Sequence, residues 1–206
     1  MMEGIRSFIA IEVPELLRVK IEGVQRDLRR TGADVKWVRP EGIHLTLKFL
    51  GSISPEGAEK ISQAIAPIVA HWVPFSLRIR GLGCFPSARN PRIIWLGIDQ
   101  GVEAVLALQK AIENGASAEG FAPEDRPFKA HLTLGRVRSP KGRAALNECL
   151  DPHKDVEIGV FRADQVYLFK SELRPSGAVY TKLCTLAMQN NGPSLDSIHE
   201  DQRLSS

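Results

Sequence analysis

The sequence predicts a single mixed helix-and-strand domain made of two similar halves with a cleft between them. Three observations lead to this prediction. The length of 206 residues suits one domain, segments with strand periodicity alternate with segments of helical periodicity, and a strand–helix–strand–helix order occurs twice. We expect the domain at residues 1–187, with internal repeats at about 4–72 and 91–150, and a disordered tail at 188–206.

The first half contains three predicted strands and two predicted helices. The strands are expected at residues 4–13, 35–38 and 44–50, and the helices at 15–32 and 54–72. The strands are rich in apolar and β-branched residues, and Pro14 ends the first of them. In both helices the apolar residues recur at steps of four, three and four, as on the buried face of an amphipathic helix. Ser54 and Pro55 are typical helix-start residues.

The second half repeats this order and then adds further strands. Strands are expected at residues 75–82, 92–98, 131–137, 156–161, 165–171 and 179–186, and helices at 102–114 and 140–150. A shift of 87 residues places strand 5–11 on 92–98 and the tetrapeptide 44–47 on 131–134. Two copies are too few for a stacked solenoid. They predict one domain with a pseudo-twofold axis and a cleft between the halves.

Composition excludes several classes of protein. With 43% hydrophobic and 25% charged residues the chain is of the globular type, not disordered, collagen-like or coiled-coil. Its apolar runs are far shorter than the ~20 residues of a membrane-spanning helix, and no secretory signal is recognisable. The three cysteines, Cys84, Cys149 and Cys184, have neither disulfide-framework nor zinc-site spacing. We therefore expect a soluble, reduced, cytoplasmic protein without a metal site.

The charge is unevenly distributed along the chain. The formal net charge is +3, although the final 19 residues are acidic. Residues 74–98 contain four arginines and residues 126–143 contain six basic side chains, and neither stretch contains an acidic one. Such stretches suit a partner that carries phosphate groups. A solvated cationic surface has the same composition, so charge alone assigns no residue.

The tetrapeptide His-Leu-Thr-Leu occurs twice, at 44–47 and at 131–134. With five histidines in the chain and as many threonines, random placement predicts only about 0.1 His-x-Thr pairs. In a strand, alternate side chains share a face, so His44 and Thr46 face one side and the two leucines the other. His131 and Thr133 repeat this arrangement. Under a pseudo-twofold axis, two imidazoles and two hydroxyls converge on one point.

Two facing imidazoles suit acid–base chemistry near neutral pH. Because the ordinary histidine pKa is ~6.5, one ring can be neutral while the other is protonated. The neutral ring can accept a proton from water and the imidazolium can donate one to a leaving oxygen, each transfer contributing ~10²–10⁴ in rate. Threonine hydroxyls can donate hydrogen bonds to phosphate oxygens. These imidazoles and hydroxyls suit the hydrolysis of a phosphodiester that has an internal leaving group, and the reaction needs no metal.

These residues resemble the twin H-x-T-x motifs of the 2H phosphoesterase superfamily, and most closely its RNA 2′,3′-cyclic phosphodiesterases, also called 2′-5′ RNA ligases. The similarity covers residues 4–186. It includes segments 6–11, 37–43, 128–130, 169–173 and 177–180 in addition to the two tetrapeptides.

The resemblance implies an α+β fold of two lobes. In it, two pseudo-symmetric antiparallel sheets surround a basic central cleft and the helices lie outside. It implies hydrolysis of a terminal 2′,3′-cyclic phosphate of RNA to a 2′-phosphate, with 2′-5′ ligation as a reverse-type reaction and no cofactor. His44 would be the proton donor and His131 the acceptor, roles that the residues themselves do not distinguish. We expect a monomer.

Four further residues are candidates for substrate binding. Lys48 shares the strand parity of His44, and Lys129 lies in the segment that precedes the second motif. Strict alternation places Arg136 on the far face from His131, unless a bulge at Gly135 turns it inward. Phe8 can stack on a base, although an aromatic residue in a central strand is more often part of the core.

Three functions remain open at this point. The first is a phosphodiesterase acting on RNA ends, which the basic stretches favour. The second uses the same residues on small cyclic nucleotides. The third is a non-catalytic RNA-binding module whose histidines only hold phosphate, against which the presence of both complete motifs argues. Turnover of an oligonucleotide that ends in a cyclic phosphate, compared with that of cyclic mononucleotides, distinguishes them.

Overall fold

The computed structural model describes residues 4–174 and 177–189. Its strands are β1 (Ile5–Glu12), β2 (Val35–Trp37), β3 (His44–Ile53), β4 (Phe75–Phe85), β5 (Ile93–Gln100), β6 (His131–Val137), β7 (Glu157–Ala163), β8 (Gln165–Arg174) and β9 (Gly177–Ala187). Its helices are α1 (Glu15–Arg29), α2 (Pro55–Ala70), α3 (Val102–Ala118) and α4 (Arg143–Leu150). Each strand and helix expected from the sequence is present, and only the ends differ.

Ser54 and Gly142 mark the starts of α2 and α4. Ser54 caps α2, since its hydroxyl oxygen accepts the Gly57 N–H at 3.1 Å. The start of α4 predicted at Pro140 is wrong by three residues, because Gly142 has a left-handed φ of 69° and precedes the helix. A Cβ at Gly142 would lie 2.7 Å from the Ala33 Cα, so only glycine fits this close approach.

The strands form one hydrogen-bonded sheet whose two parts meet at a narrow junction. Its order is β7-β4-β5-β6-β3-β1-β8-β9, with β2 added beside β6 and every pair antiparallel. We call β3-β1-β8-β9 the first half-sheet and β6-β5-β4-β7 the second. The junction between β3 and β6 has one registered pair, Leu45 opposite Leu132, and both leucines are fully buried. The α+β class and the two-lobed arrangement are confirmed.

Helices α1 and α3 cross between the two half-sheets. Helix α1 follows β1 of the first half-sheet but packs against α4 and β7 of the second. Helix α3 follows β5 of the second half-sheet but packs against α2 and β3 of the first. Two contacts illustrate the exchange: Lys20 Nζ donates to the Ile158 carbonyl at 3.2 Å, and Gly115 lies against Ile68. Each half-sheet is therefore covered partly by a helix that belongs to the other half of the chain.

Met188 and Gln189, which the sequence prediction assigned to a disordered tail, belong to the folded part of the protein. Met188 is 7% exposed within the core, and the Gln189 N–H donates to the Trp72 carbonyl at 3.1 Å. Residues 190–206 of that prediction lie outside the described residues. Over residues 4–174 and 177–189, none of the helices combines the length and the apolar character needed to cross a membrane.

Candidate active site

The two His-Leu-Thr-Leu motifs lie side by side at the junction. Because Leu45 and Leu132 are opposite each other on antiparallel strands, the same register places His44 across from Thr133, and Thr46 across from His131. The motif leucines are buried, whereas these four side chains share the other, half-buried face. Side chains directly opposite in such a pair are ~5 Å apart at Cβ and diagonal neighbours ~7–8 Å.

A cleft of about 620 Å³ opens on this face. Of the predicted site residues, its lining includes Phe8, His44, Thr46, Thr133 and Arg136. His131, Lys48 and Lys129 are not part of this lining.

His44 lies in an aromatic cluster. Its ring stacks on Phe8 with centroids 4.5 Å apart and meets the Tyr180 ring nearly at a right angle with centroids 5.2 Å apart, and the Phe169 centroid is 6.1 Å away. Burial in this apolar environment lowers the pKa of His44 to about 4, and a hydrogen bond with the Gly42 backbone opposes that shift. The imidazole is therefore neutral in the free protein at neutral pH.

His131 has a matching environment in the other half. The edge of its ring faces Phe85 at 5.1 Å, and Trp95 is 6.5 Å away. Its Nδ1 lies 2.6 Å from the Lys129 carbonyl. Since a carbonyl can only accept, Nδ1 carries the proton and Nε2 keeps its lone pair. Burial, and to a smaller extent Arg136, lower the pKa of His131, while the bond to Lys129 opposes them. A neutral ring with a free Nε2 can act as a base.

The position of Phe8 excludes the predicted role in base stacking. Its ring is 3% exposed and packs against His44, Phe169 and Tyr180. A ring this buried offers no open face on which a substrate base could stack. Phe8 supports the imidazole of His44, and Trp95, its counterpart under the 87-residue shift, lies beside His131.

A bulge at the last leucine of each motif reverses the alternation of side chains. On β3, Thr46 pairs with Ala10 and Lys48 with Ile9, so Leu47 is extra. On β6, Thr133 pairs with Trp95 and Gly135 with Ile94, so Leu134 is extra. The residues beyond the bulges, Phe49 and Arg136, therefore both face the cleft. They are 87 residues apart, and sequence reasoning missed Phe49, which is 52% exposed.

The same reversal makes the prediction for Lys48 wrong. The bulge turns Lys48 away from His44 and into the protein, where its side chain is fully buried. Its Nζ donates to Glu113 Oε1 at 2.6 Å and to the Ala122 carbonyl at 2.9 Å. Lys48 therefore cannot contact a phosphate in the cleft.

Lys129 lies on the His131 side of the site. Its side chain is exposed, with Nζ 5.4 Å from the centroid of the Phe85 ring. Its carbonyl holds Nδ1 of His131. The Lys129 carbonyl thus contacts His131. Substrate binding by the Lys129 side chain stays a prediction.

Two buried glutamines hold the bulges, and sequence reasoning missed both. Gln25 of α1 donates to the Leu134 carbonyl at 2.9 Å and to the Val38 carbonyl at 2.8 Å. Gln109 of α3 donates to the Leu47 carbonyl at 3.3 Å. Leu47 and Leu134 are the extra residues of the two bulges, so each bulge is bound by the helix that crosses from the other half. The sequence does contain a signal for this role, since a glutamine interrupts the apolar face of each of the two predicted helices that become α1 and α3.

We expect Gln25→Met to lower the stability of the protein and to weaken substrate binding. The Val38 and Leu134 carbonyls lose a buried donor, which costs about 1–3 kcal/mol in the free energy of unfolding. A looser bulge also frees Arg136 to leave the cleft, so KM should rise more than kcat falls. Urea unfolding and steady-state kinetics measure the two effects. Gln63→Met, at an exposed position of α2, is the control; equal effects in the two variants would contradict this role for Gln25.

The cleft is strongly cationic. Arg6, Lys36, Arg39 and Arg136 line it, and no acidic side chain is among the lining residues that the structure describes. Within residues 4–174 and 177–189 none of the four forms an ion pair. The same ranges contain no cluster of histidine, cysteine or carboxylate side chains suited to a metal ion. The site thus offers fixed positive charge to an anion from arginine and lysine.

The chain is similar to known phosphoesterases in sequence and in fold. A family model described as LigT like Phosphoesterase matches residues 11–95 and again residues 96–180. Over 179 residues the chain is 36% identical to a protein of Methanothermobacter thermautotrophicus named RNA 2′,3′-cyclic phosphodiesterase, covering 87% of this chain and 96% of that one. An Aquifex aeolicus protein of the same name is 30% identical over 183 residues, covering 87% and 95%.

A solved structure of a similar protein has a similar fold. The crystal structure of the Thermus thermophilus protein TT0787 matches with a TM-score of 0.76 at 28% identity, covering 90% of this chain and 99% of that one. The resemblance predicted from the two motifs is confirmed, and the chain is an enzyme of the 2H phosphoesterase superfamily. It belongs to the LigT-like phosphoesterase family.

Proposed function

We propose that the protein hydrolyses the 2′,3′-cyclic phosphate at an RNA end to a 2′-phosphate by acid–base catalysis with two histidines and no metal. One observation carries the proposal: the Leu45–Leu132 register brings His44, Thr46, His131 and Thr133 to one face of the sheet beside a cationic cleft. The relatives named RNA 2′,3′-cyclic phosphodiesterase support the same reaction.

Each histidine has one task in the proposed reaction. His131 Nε2 accepts a proton from the water that attacks phosphorus, since its Nδ1 proton is held by the Lys129 carbonyl. His44 donates a proton to the departing 3′-oxygen as the phosphorus–3′-oxygen bond breaks. The products are a 2′-phosphate and a free 3′-hydroxyl. Thr46 and Thr133 donate hydrogen bonds to the other phosphate oxygens, where charge grows. With an RNA 5′-hydroxyl in place of water, the same steps produce a 2′-5′ linkage.

The substrate itself supplies the protonated form of His44. In the free protein, burial holds the pKa of His44 at about 4, so the imidazolium is rare at neutral pH. A phosphate anion about 4 Å away stabilises a positive charge by about 4 kcal/mol at an effective dielectric constant of about 20. Since one pH unit corresponds to 1.36 kcal/mol, this attraction raises the pKa by about three units. Binding of the anion and protonation of the acid are therefore coupled.

The pH profiles should show this coupling. For kcat/KM, which reports the free enzyme, we expect a bell whose two limbs both lie below pH 6.5, because the pKa values of both histidines are lowered. For kcat, which reports the complex, the alkaline limb should move to higher pH as the bound anion raises the pKa of His44. Steady-state kinetics between pH 4 and 9 test this. An alkaline limb at the same pH in both profiles would argue against His44 as the acid.

Small cyclic nucleotides are the second candidate substrates. A single cyclic phosphate needs only the motif residues and one cation, whereas Lys36, Arg39 and Arg6 extend the positive surface along the cleft. This favours an RNA chain, whose further phosphates can use these charges.

The decisive assay compares an oligonucleotide that ends in a 2′,3′-cyclic phosphate with 2′,3′-cyclic mononucleotides at several salt concentrations. We expect a higher kcat/KM for the oligonucleotide, with a steeper fall as salt increases, and a 2′-phosphate product. Binding of RNA without turnover would instead support the non-catalytic module.

A further inference from the structure

Beneath the cleft, Lys48 connects the first motif to the segment that leads into the second. We call residues 119–130, between α3 and β6, the connecting segment. Lys48 leaves β3 at the bulge and reaches Glu113 on α3, with both side chains mostly or fully buried. The same Nζ donates to the carbonyl of Ala122 in the connecting segment. One ammonium group therefore binds the first motif strand, α3 and the connecting segment.

Glu113 adds a second attachment. Its Oε1, which accepts from Lys48 Nζ, also accepts the Glu124 N–H at 3.1 Å. Its Oε2 lies 3.4 Å from Gln109 Nε2, and Gln109 is the residue that binds the first bulge. The carboxylate thus joins the bulge of the first motif to the backbone of the connecting segment.

The connecting segment has few other polar attachments. Between residues 122 and 128, the hydrogen bonds that the structure records go to Lys48 and Glu113. The next one along the chain is the bond from His131 Nδ1 to the Lys129 carbonyl, which sets the tautomer of the base. The path of the segment, together with the packing of Phe128 and Ala130 against the core, therefore determines where that carbonyl lies.

We infer that the buried Lys48–Glu113 pair is a positioning element that holds the connecting segment so that the Lys129 carbonyl keeps His131 in its Nδ1-protonated form. A buried ion pair loses the hydration of both charges, and apolar residues of similar volume often replace such pairs without loss of stability. Geometry, not stability, is then what this pair contributes. The inference rests on the proposed role of His131 as the base.

The test replaces the pair by apolar residues of similar size. We expect the double variant Lys48→Met/Glu113→Leu to melt within about 4 °C of the parent. Its kcat should be roughly 10- to 100-fold lower, because the catalytic base is displaced from its productive position. Its KM should change less than its kcat. Imidazole ¹⁵N chemical shifts should show His131 as a mixture of tautomers. The matched control is Lys60→Met/Glu119→Leu, which removes the exposed 2.9 Å pair at the start of the same segment and should leave kcat and the shifts unchanged. A folded Lys48→Met/Glu113→Leu protein with parental kcat and parental His131 shifts would overturn the inference.

A second comparison leaves the buried pair intact. Glu124→Pro removes the N–H that donates to Glu113. Asp125→Pro replaces an acidic residue and fixes φ in the same way, but the Asp125 N–H has no hydrogen-bond partner within residues 4–174 and 177–189. We expect Glu124→Pro to alter the His131 shifts and kcat more than Asp125→Pro does; equal behaviour of the two would count against the inference even if the double variant does not fold. If the parent itself does not turn over cyclic-phosphate RNA, the proposed function fails, while the His131 shifts still decide whether the pair sets the tautomer.

Discussion

His44→Ala and His131→Ala should each lower kcat by roughly 10²–10⁴, the usual value of one proton transfer. The two rings lie across the junction from each other's threonines, and each lies against an aromatic residue that orients it. Phe8 and Phe85 carry no titratable group, and burial raises the pKa of Tyr180, the other ring beside His44, so its phenol is a poor replacement for the imidazolium. Turnover of an oligonucleotide with a cyclic-phosphate end, measured at saturating substrate, gives the effect on kcat.

The double variant should be far from additive, because acid and base act in one step and the loss of either leaves the other without a partner. His71→Ala, at an exposed position after α2, serves as the control and should keep parental activity. If one alanine variant keeps nearly full activity while the other is inactive, the two-histidine mechanism is wrong. A single histidine acting with water would then be the better account.

Leu132→Ala should combine a large loss of stability with a loss of activity. Leu132 is fully buried and is one member of the single registered pair that joins the half-sheets. Removing its side chain should cost about 2–5 kcal/mol in the free energy of unfolding. The cavity lies directly beneath the motif face, so His131 and Thr133 lose their alignment with the opposite strand.

The appropriate control is Leu77→Ala on β4, two strands from the junction and equally buried. We expect a similar loss of stability by urea unfolding, but parental kcat at a temperature where both variants are folded. Equal activity in Leu77→Ala and Leu132→Ala would show that the junction does not align the site.

The sequence predicts the type and order of the helices and strands well, because periodicity and turn residues are local signals. It cannot predict the crossing of α1 and α3, which depends on contacts between residues far apart in the chain. The motif face follows directly from strand alternation, and His44 and His131 lie on it as expected.

The residues after the motifs show the limit of strand alternation. Alternation holds only until a bulge, and the two bulges reverse it at equivalent positions. Gly135 marks the second bulge in the sequence, so an inward Arg136 could be anticipated. The first bulge has Lys48 at the equivalent position and no glycine signal. Alternation alone therefore places Lys48 on the wrong face and overlooks Phe49.

The crossing of α1 and α3 has a consequence for how the protein unfolds. Each half-sheet loses a covering helix as soon as the other half comes apart, and the buried glutamine that holds its bulge leaves with that helix. Neither half is a complete unit with its own closed core, although the sequence repeats its elements. The two lobes should therefore unfold in one cooperative transition. A chain cut in the exposed loop between β4 and β5 would yield two fragments that each hold strands of both half-sheets, so each needs the other to complete its sheets as well as to supply the covering helix.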